Sequence, residues 1–422
     1  MKTKAIRLYG KNDLRLEEFE LPSIRDDEIL AHVVSDSICM SSYKEAMQGA
    51  DHKRVPRDIA TNPVIIGHEF CGEIIEVGRK WRDKFRPGKR FSIQPNIKHP
   101  AIMGGMGAPG YSYPHAGGAA THVIIPNEVM EQNCLLDYSG DAFFYGSLAE
   151  PMSCIVAAFR ATFHIEENYI HHMGPREGGA MAILAGAGPM GLGAIDYAIH
   201  ASRRPKLLVV TDIDDKRLQR AASIYTVDLA HRSGVALRYV NTRDMGEPAA
   251  SLREIAGRKG YDDVFVLAPV RSVVEQGGKI LAADGCLNFF AGPSDNRFTA
   301  EVNFYDVHYT GHHIVGTSGG NTNDMVEALD IMVRGEINPS AMVTHVGGLD
   351  SAGPATLGLP DIPGGKKLIY TNITMDLTAI DDFAVKGRND PLSAGLAEIV
   401  AKTNGLWSAE AERYLLAHAR SI

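Results

Sequence analysis

The stretch Ala180-Met-Ala-Ile-Leu-Ala-Gly-Ala-Gly-Pro-Met-Gly191 decides the fold of the middle of this chain. Its apolar beginning predicts a short buried strand, and the glycine-rich turn that follows opens a helix predicted over Pro189–His200. Gly186 permits the tight turn, Gly188 lets a backbone approach a pyrophosphate, and Gly191 allows the helix to pack closely on the strand. The pattern is typical of a dinucleotide site, where the N–H groups at a helix start face the phosphates.

A second strand, predicted at Leu207–Thr211, ends in Asp212, about 20 residues after the turn. A carboxylate there accepts hydrogen bonds from ribose hydroxyls and repels a 2′-phosphate, so NAD(H) is favoured as the cofactor. Lys216 and Arg217 keep NADP(H) possible, unless they only form a solvated helix face. The turn has an alternative interpretation as a tight connection without a ligand, but strand, helix, second strand and acid all occur in the expected order.

Apolar runs on either side of this motif predict further strands, from Lys4 to Gly316. Further strands alternating with helices are predicted at Asp263–Ala268, Gly278–Ala283 and His312–Gly316. Such alternation predicts an α/β fold with a doubly wound, parallel Rossmann sheet. The earlier part is β-rich, with short strands predicted at Lys4–Leu8, Asp13–Glu17, Glu28–Val34 and Gly72–Gly78. We therefore predict a β-rich domain over 1–155, a Rossmann domain over 156–318, and a segment over 319–422 that partly returns to the first domain.

Composition excludes several classes of partner. The 43 Lys and Arg residues are outnumbered by 51 Asp and Glu, which gives a net charge of −8 and argues against binding to nucleic acid. The 5 cysteines are odd in number and scattered, so we expect no disulfide framework and a reducing, cytoplasmic setting. The sequence also lacks a signal-peptide pattern and an apolar run of about 18 residues, so we expect no association with a membrane.

Three separate segments of the β-rich region carry residues of the types that bind metals. Cys39 follows a predicted strand, His68-Glu69 precedes another, and Glu150 closes the region. Thiolate, imidazole and carboxylate groups suit Zn²⁺, which takes such ligands in a tetrahedral array with one position open for a substrate. The residues alone leave a second interpretation open, in which Cys39 is a buried apolar residue and His68 a core histidine.

The segments that carry these residues resemble the zinc-type medium-chain dehydrogenases, in particular the sorbitol dehydrogenase branch. The similarity runs in the same order from the N-terminus to about residue 320, and it is carried by Gly67–Gly78, Gly117–Pro126, Ala149–Ser153, Gly186–Gly191 and Val210–Ile213. It implies a GroES-like catalytic fold for the β-rich domain and an assembly into homodimers or homotetramers.

The resemblance also implies roles for individual residues. Cys39 and His68 bind a catalytic zinc ion, and either Glu69 or Glu150 completes the set, directly or through water. Ser41 holds the hydroxyl that relays the substrate proton. The implied cofactor contacts in the glycine-rich turn are Gly186, Gly188, Pro189, Met190 and Gly191. Those to the adenosine ribose are Asp212 and Arg217.

Three departures from the family pattern refine these expectations. Met40 replaces the usual glycine after Cys39, which reshapes the substrate pocket. No cysteine occurs between Gln94 and Gly118, where the family places a structural zinc, so we expect one zinc ion per chain. The Arg-Tyr pair that holds polyol hydroxyls is replaced around Ile314-Val315.

The overall pattern is most similar to the sugar-phosphate reductases of this branch, so we expect a small sugar phosphate as substrate. Lys44, five residues after Cys39, is the predicted phosphate ligand, since a flexible ammonium there can reach past the metal. The basic cluster His52, Lys53, Arg54 and Arg57 offers another source of the contact, and a solvated face is the alternative for Lys44.

Three other functions stay open at this point. The first is an unphosphorylated polyol or alcohol dehydrogenase. The second is a zinc-free NADPH reductase of the same superfamily, which needs none of the metal-binding residues. The third is a nucleotide-binding protein without turnover.

Overall fold

The computed structural model describes residues 1–166 and 169–422. The strands, in chain order, are β1 (Lys2–Gly10), β2 (Asp13–Glu20), β3 (Ile29–Ile38), β4 (Val64–Ile65), β5 (Phe70–Val77), β6 (Arg90–Ile93), β7 (His122–Ile125), β8 (Leu135–Asp137), β9 (Phe163–Glu166), β10 (Ile170–Met173), β11 (Ala180–Leu184), β12 (Leu207–Asp212), β13 (Ala236–Asn241), β14 (Tyr261–Val266), β15 (Leu281–Phe289), β16 (His313–Gly316), β17 (Val343–Gly348), β18 (Lys366–Tyr370) and β19 (Thr378–Ala379).

The α-helices, in chain order, are α1 (Met40–Gln48), α2 (Asn127–Glu131), α3 (Phe143–Ala161), α4 (Pro189–His200), α5 (Asp215–Ile224), α6 (Val227–Arg232), α7 (Pro248–Ile255), α8 (Arg271–Lys279), α9 (Phe304–Tyr309), α10 (Thr322–Val333), α11 (Leu349–Leu357), α12 (Phe383–Lys386), α13 (Pro391–Lys402) and α14 (Ala409–His418). Two compact units are formed, one from residues 1–151, 321–333 and 339–422, the other from 152–320 and 334–338. None of the helices in the described residues combines the length and apolar character needed to span a bilayer.

The second unit contains a six-stranded sheet in the order β13-β12-β11-β14-β15-β16. Every pairing in this sheet is parallel. Counted along the chain, the strand order is 3-2-1-4-5-6, which is the order of the doubly wound dinucleotide fold. The central strands are apolar on both faces because helices cover both sides, and this confirms the predicted α/β class.

Two predicted strands of this unit are wrong in their bounds: Asp263–Ala268, where β14 is Tyr261–Val266, and, more strongly, Gly278–Ala283. Gly278 and Lys279, the first residues of the predicted strand Gly278–Ala283, are the last residues of α8, and β15 begins only at Leu281. The part of β15 that pairs continuously with β14 is Cys286–Phe289. A short apolar run does not reveal which of its residues form hydrogen bonds with the neighbouring strand, because the pairing depends on where that strand lies.

The first unit contains a mixed sheet of eight strands in the order β19-β17-β18-β3-β5-β6-β8, with β7 also paired to β3. Strand β3 is antiparallel to β5 on one side, with Asp36 opposite Phe70, and to β18 on the other, with Ile38 opposite Lys367. The end of β3 therefore meets the beginnings of β5 and β18 at one edge of the sheet. This geometry brings Cys39, which follows β3, to the residues that precede β5.

Candidate metal centre and cofactor site

The strand ends of the first unit assemble a cluster of metal-binding side chains. One ligand atom each from Cys39, His68 and Glu69 lies within 4.8 Å of the others, and among the described residues no other such group of three or more His, Cys, Asp or Glu is found. His68 and Glu69 are buried, with 4% and 0% of their surfaces exposed. Sulfur, nitrogen and oxygen donors at this separation fit a zinc ion.

Two serines of α1 contact the His68 ring, one at each nitrogen. Ser42 Oγ, on α1, lies 3.3 Å from His68 Nδ1, while Ser41 Oγ lies 3.3 Å from Nε2. Ser41 Oγ also donates to Cys39 Sγ over 3.0 Å. Burial is the largest effect on His68 and lowers its pKa, which favours the neutral ring that binds metals. Ser41, the predicted proton relay, thus contacts both Cys39 and His68, and Ser42 is a support that the sequence did not reveal.

Glu69 is paired with a lysine from the distant end of the chain. Lys366 Nζ donates to both carboxylate oxygens of Glu69 over 2.5 and 2.6 Å, and both side chains are buried. Burial opposes the charge of Lys366, but the adjacent Glu69 carboxylate outweighs it and raises the pKa of the lysine above 10.5. The negative charge that Glu69 brings to the cluster is therefore balanced by Lys366.

Glu150 lies in α3 and belongs to the same electrostatic surroundings. Burial, followed by the charge of Glu69, raises its pKa to about 7. His68 and Cys39 also act on this carboxyl, although it is not one of the groups within 4.8 Å. The structure thus brings all four predicted metal-binding residues into one neighbourhood, with Glu150 outside the tightest set.

A tyrosine from the loop between β6 and β7 completes one side of the cluster. The Tyr111 hydroxyl lies 3.5 Å from His68 Nε2, and the two rings are tilted with their centres 4.9 Å apart. The loop is fastened to the metal-binding segment because Gly118 N donates to Gly67 O over 2.6 Å. Sequence reasoning missed Tyr111, since nothing in a loop rich in glycine and proline indicates which residue turns inward.

Ionisable side chains lie around Tyr111. The Arg54 guanidinium carbon lies 5.4 Å from the centre of its ring, and His52 stacks on it at 5.6 Å. Glu45, on α1, is fully buried, and among the described residues neither of its carboxyl oxygens has a hydrogen-bond partner. Burial raises the pKa of Glu45 well above 4.5 and so favours its neutral form, while the charge of Arg54 acts in the other direction.

Lys44 lies three residues after Ser41 in the same helix and is half-buried. Residues three apart share a face of an α-helix, so Lys44 stands on the side of α1 that carries Ser41. Of the basic cluster that follows, Lys53 and Arg57 are exposed. Arg54 and His52 are the members that contact Tyr111, the tyrosine beside His68.

The glycine-rich turn of the second unit has the backbone geometry that the sequence predicts. An added Cβ at Gly191 would lie 2.0 Å from Gly186 O, so any side chain there would separate helix from turn. At Gly188 an added Cβ would meet nothing within 4 Å, which leaves open space beside the start of α4. Pro189 and Met190 follow as the first residues of that helix. The start of α4, where the first N–H groups of a helix lack a partner within the helix, thus lies next to an open surface.

Asp212 contacts the turn directly. Its Oδ2 accepts from Ala187 N over 3.2 Å and its Oδ1 from Ile213 N over 2.8 Å. These bonds fix the carboxylate at the carboxyl end of β12 and leave acceptor capacity for a ligand. Arg217 is exposed on α5, where it lies 3.9 Å from Asp214.

The fold and these two sites define a dehydrogenase with a zinc centre and a dinucleotide-binding domain. Residues 25–133 match the family model of the alcohol dehydrogenase GroES-like domain, and residues 189–334 match that of the zinc-binding dehydrogenases. The chain therefore belongs to the zinc-binding, medium-chain alcohol dehydrogenase family and is a zinc-dependent, nicotinamide-linked oxidoreductase. The predicted resemblance and the GroES-like and Rossmann folds are confirmed.

Two curated relatives match almost the whole chain. The L-sorbose 1-phosphate reductase of Klebsiella pneumoniae is 52% identical over 421 residues, covering 100% of this chain and 98% of the relative. The mannitol-1-phosphate 5-dehydrogenase of Aliivibrio fischeri is 50% identical over 415 residues, covering 98% and 97%. The solved 2R,3R-butanediol dehydrogenase from Bacillus subtilis shares the fold, with a TM-score of 0.69, 22% identity, and coverage of 88% of this chain and 100% of that one.

Proposed function

We propose that this protein interconverts a ketose phosphate and the corresponding polyol phosphate, using NAD(H) and one zinc ion. The observation that carries the proposal is the identity of 52% and 50%, over nearly the full length, to two enzymes whose names give sugar or polyol phosphates as substrates. Arg54, which contacts Tyr111 and has no ion-pair partner among the described residues, supports a phosphorylated substrate rather than a plain polyol. The residues below are assigned on this basis.

Cys39, His68 and Glu69 are the proposed zinc ligands, because their ligand atoms form the tightest set. Glu150 is proposed to act through water, since its carboxyl lies outside that set. When bound, zinc would polarise the substrate oxygen as a Lewis acid, and the nicotinamide would carry the hydride. Ser41 accepts or returns the hydroxyl proton at its Oγ, which already contacts Cys39 Sγ and lies beside His68.

Arg54 and Lys44 are proposed to hold the substrate phosphate. Among the described residues, the Arg54 guanidinium has no salt-bridge or hydrogen-bond partner, so its donors are available to an anion. Guanidinium and ammonium groups bind phosphate through charge-assisted hydrogen bonds. The nearby Glu45 does not cancel this charge, because its raised pKa favours the neutral carboxyl.

Arg54→Ala is expected to raise KM for a ketose phosphate by about 10- to 100-fold, the loss of one or two charge-assisted hydrogen bonds. Lys44→Ala should act in the same direction. The unphosphorylated ketose should be affected much less, because the lost contact is made only by the phosphate. Steady-state oxidation of NADH with both substrates measures the difference.

The exposed neighbour Lys53 provides the control, and Lys53→Ala should change either KM by no more than about twofold. Equal catalytic efficiency of the wild type on sugar and sugar phosphate would contradict the phosphate proposal and favour an unphosphorylated polyol. A protein that bound NADH without turning over any ketose or polyol would instead be a nucleotide-binding protein.

Asp212 is proposed to select NAD(H) over NADP(H), because its buried carboxylate ends β12 beside the turn. Asp212→Ala should lower the preference for NADH, measured as kcat/KM for NADH divided by kcat/KM for NADPH, by about tenfold. Most of this change should come from a lower kcat/KM for NADH. Asp228→Ala, which removes an exposed carboxylate of α6, is the control. A wild type that used NADPH better than NADH would contradict this role.

A further inference from the structure

Helix α3, which carries Glu150, begins without a local cap. The first N–H groups of an α-helix have no partner within the helix, and Ala142, just before it, has no side-chain acceptor. Glu412 of α14 supplies the acceptors from near the end of the chain. Its Oε1 accepts from Phe143 N over 2.6 Å and its Oε2 from Phe144 N over 2.8 Å.

The capping carboxylate is itself held in place by buried groups. Tyr370 Oη donates to Glu412 Oε2 over 2.9 Å, and Trp407 Nε1 donates to Tyr370 Oη over 2.8 Å. Glu412, Tyr370 and Trp407 are exposed by only 2%, 0% and 1%. A fully bonded buried network of this kind fixes the position of each member.

The capped end of α3 is near enough to Glu150 to affect the position of its side chain. From Phe144 to Glu150 the helix rises about 9 Å, which is less than two turns. Pro151 follows at once and cannot donate to the carbonyl of Ser147, so the helix is weakened there. The segment 143–150 is therefore held by buried side chains such as Leu148 and by polar anchors near its beginning. Ser147 Oγ lies 2.9 Å from Ser35 Oγ of β3, and Glu412 provides the anchor at the first turn.

Strand β18 connects this network to the other carboxylate of the metal centre. Its first residue, Lys366, binds Glu69, and its last residue, Tyr370, binds Glu412. The C-terminal part of the chain thus contacts Glu69 directly, through Lys366. It is connected to Glu150 indirectly, because Glu412 binds the start of the helix that carries Glu150. Both contacts lie within the same compact unit.

We propose that Glu412 is a positioning residue for the metal centre, holding the first two turns of α3 so that Glu150 faces Cys39 and His68. The inference rests on the proposed zinc site and extends it to a residue that touches neither metal nor substrate. Supporting groups around a metal site typically change its affinity by about 10- to 100-fold when removed.

The test measures metal binding by the full-length protein. Glu412→Ala should weaken zinc binding by about 10- to 100-fold in competition with a chromogenic chelator. The cobalt-substituted variant should also show a shifted absorption spectrum, because the water that Glu150 is proposed to hold at the metal would move with it. Glu412→Gln should give a smaller loss, since its amide oxygen still accepts one of the two N–H groups. Tyr370→Phe, which leaves the cap in place, should also have a smaller effect.

Two control variants separate positioning from general stability. Glu410→Ala removes a carboxylate of the same helix that pairs with exposed Lys402, and it should leave zinc affinity unchanged. Leu415→Ala opens the buried face of α14 and lowers stability, yet it should keep the wild-type cobalt spectrum.

Wild-type zinc affinity and spectrum in Glu412→Ala would overturn the proposal, as would an equal loss in Leu415→Ala. If Glu412→Ala does not fold, an unchanged affinity in both Glu412→Gln and Tyr370→Phe would overturn it instead. A wild-type protein that binds no zinc would contradict the proposed metal site itself, which is a different failure.

Discussion

Cys39→Ser is expected to lower turnover by about 10³-fold, because loss of the thiolate removes the metal and with it several kcal/mol of Lewis-acid stabilisation. Elemental analysis should find about one zinc ion per wild-type chain and almost none in the variant. Binding of NADH should persist, since Cys39 and the glycine-rich turn belong to different compact units. Titration of NADH fluorescence measures this directly.

Cys134→Ser is a suitable control, because that buried cysteine lies outside the metal cluster. It should retain both zinc and activity. Full activity of the zinc-free wild type, or about two tightly held zinc ions per chain, would contradict the assigned site.

Lys366→Met should destabilise the metal-free protein by about 3–5 kcal/mol, because it leaves the Glu69 carboxylate buried without its cation. The change would appear as a lower denaturant midpoint at neutral pH. Bound zinc should reduce the loss, since the metal also balances the charge of Glu69. Because the pKa of Lys366 is raised, the lysine should keep its charge at pH 10.5 and lose it, together with its stabilising effect, only as the pH rises further.

The double variant Lys366→Met, Glu69→Gln should recover much of the lost stability, because neither charge then remains buried. Lys402→Met breaks the exposed pair with Glu410 and should cost less than about 1 kcal/mol. If Lys366→Met and Lys402→Met lowered the stability equally little, Lys366 would not be the group that balances the negative charge of Glu69.

The sequence by itself determined the alternation of strands and helices that defines the α/β class. The strand, turn and helix from Ala180 to His200 were predictable because apolar periodicity and glycine positions are local properties of the chain. Helix α4 has the predicted bounds, Pro189–His200. The types of residue at Cys39, His68, Glu69 and Glu150 suit zinc, but it was the resemblance to a known family that joined them into one expected site.

Only the tertiary structure decided how those residues are supported. Lys366 reaches Glu69 across 297 positions, and Glu412 reaches Phe143 across 269. The register of β3 against β5 and β18 creates the first contact, and the packing of α14 creates the second. Local patterns report the faces of a single element, whereas these contacts depend on which elements become neighbours. For the same reason the inward turn of Tyr111 and the true start of β15 could not be predicted from the sequence.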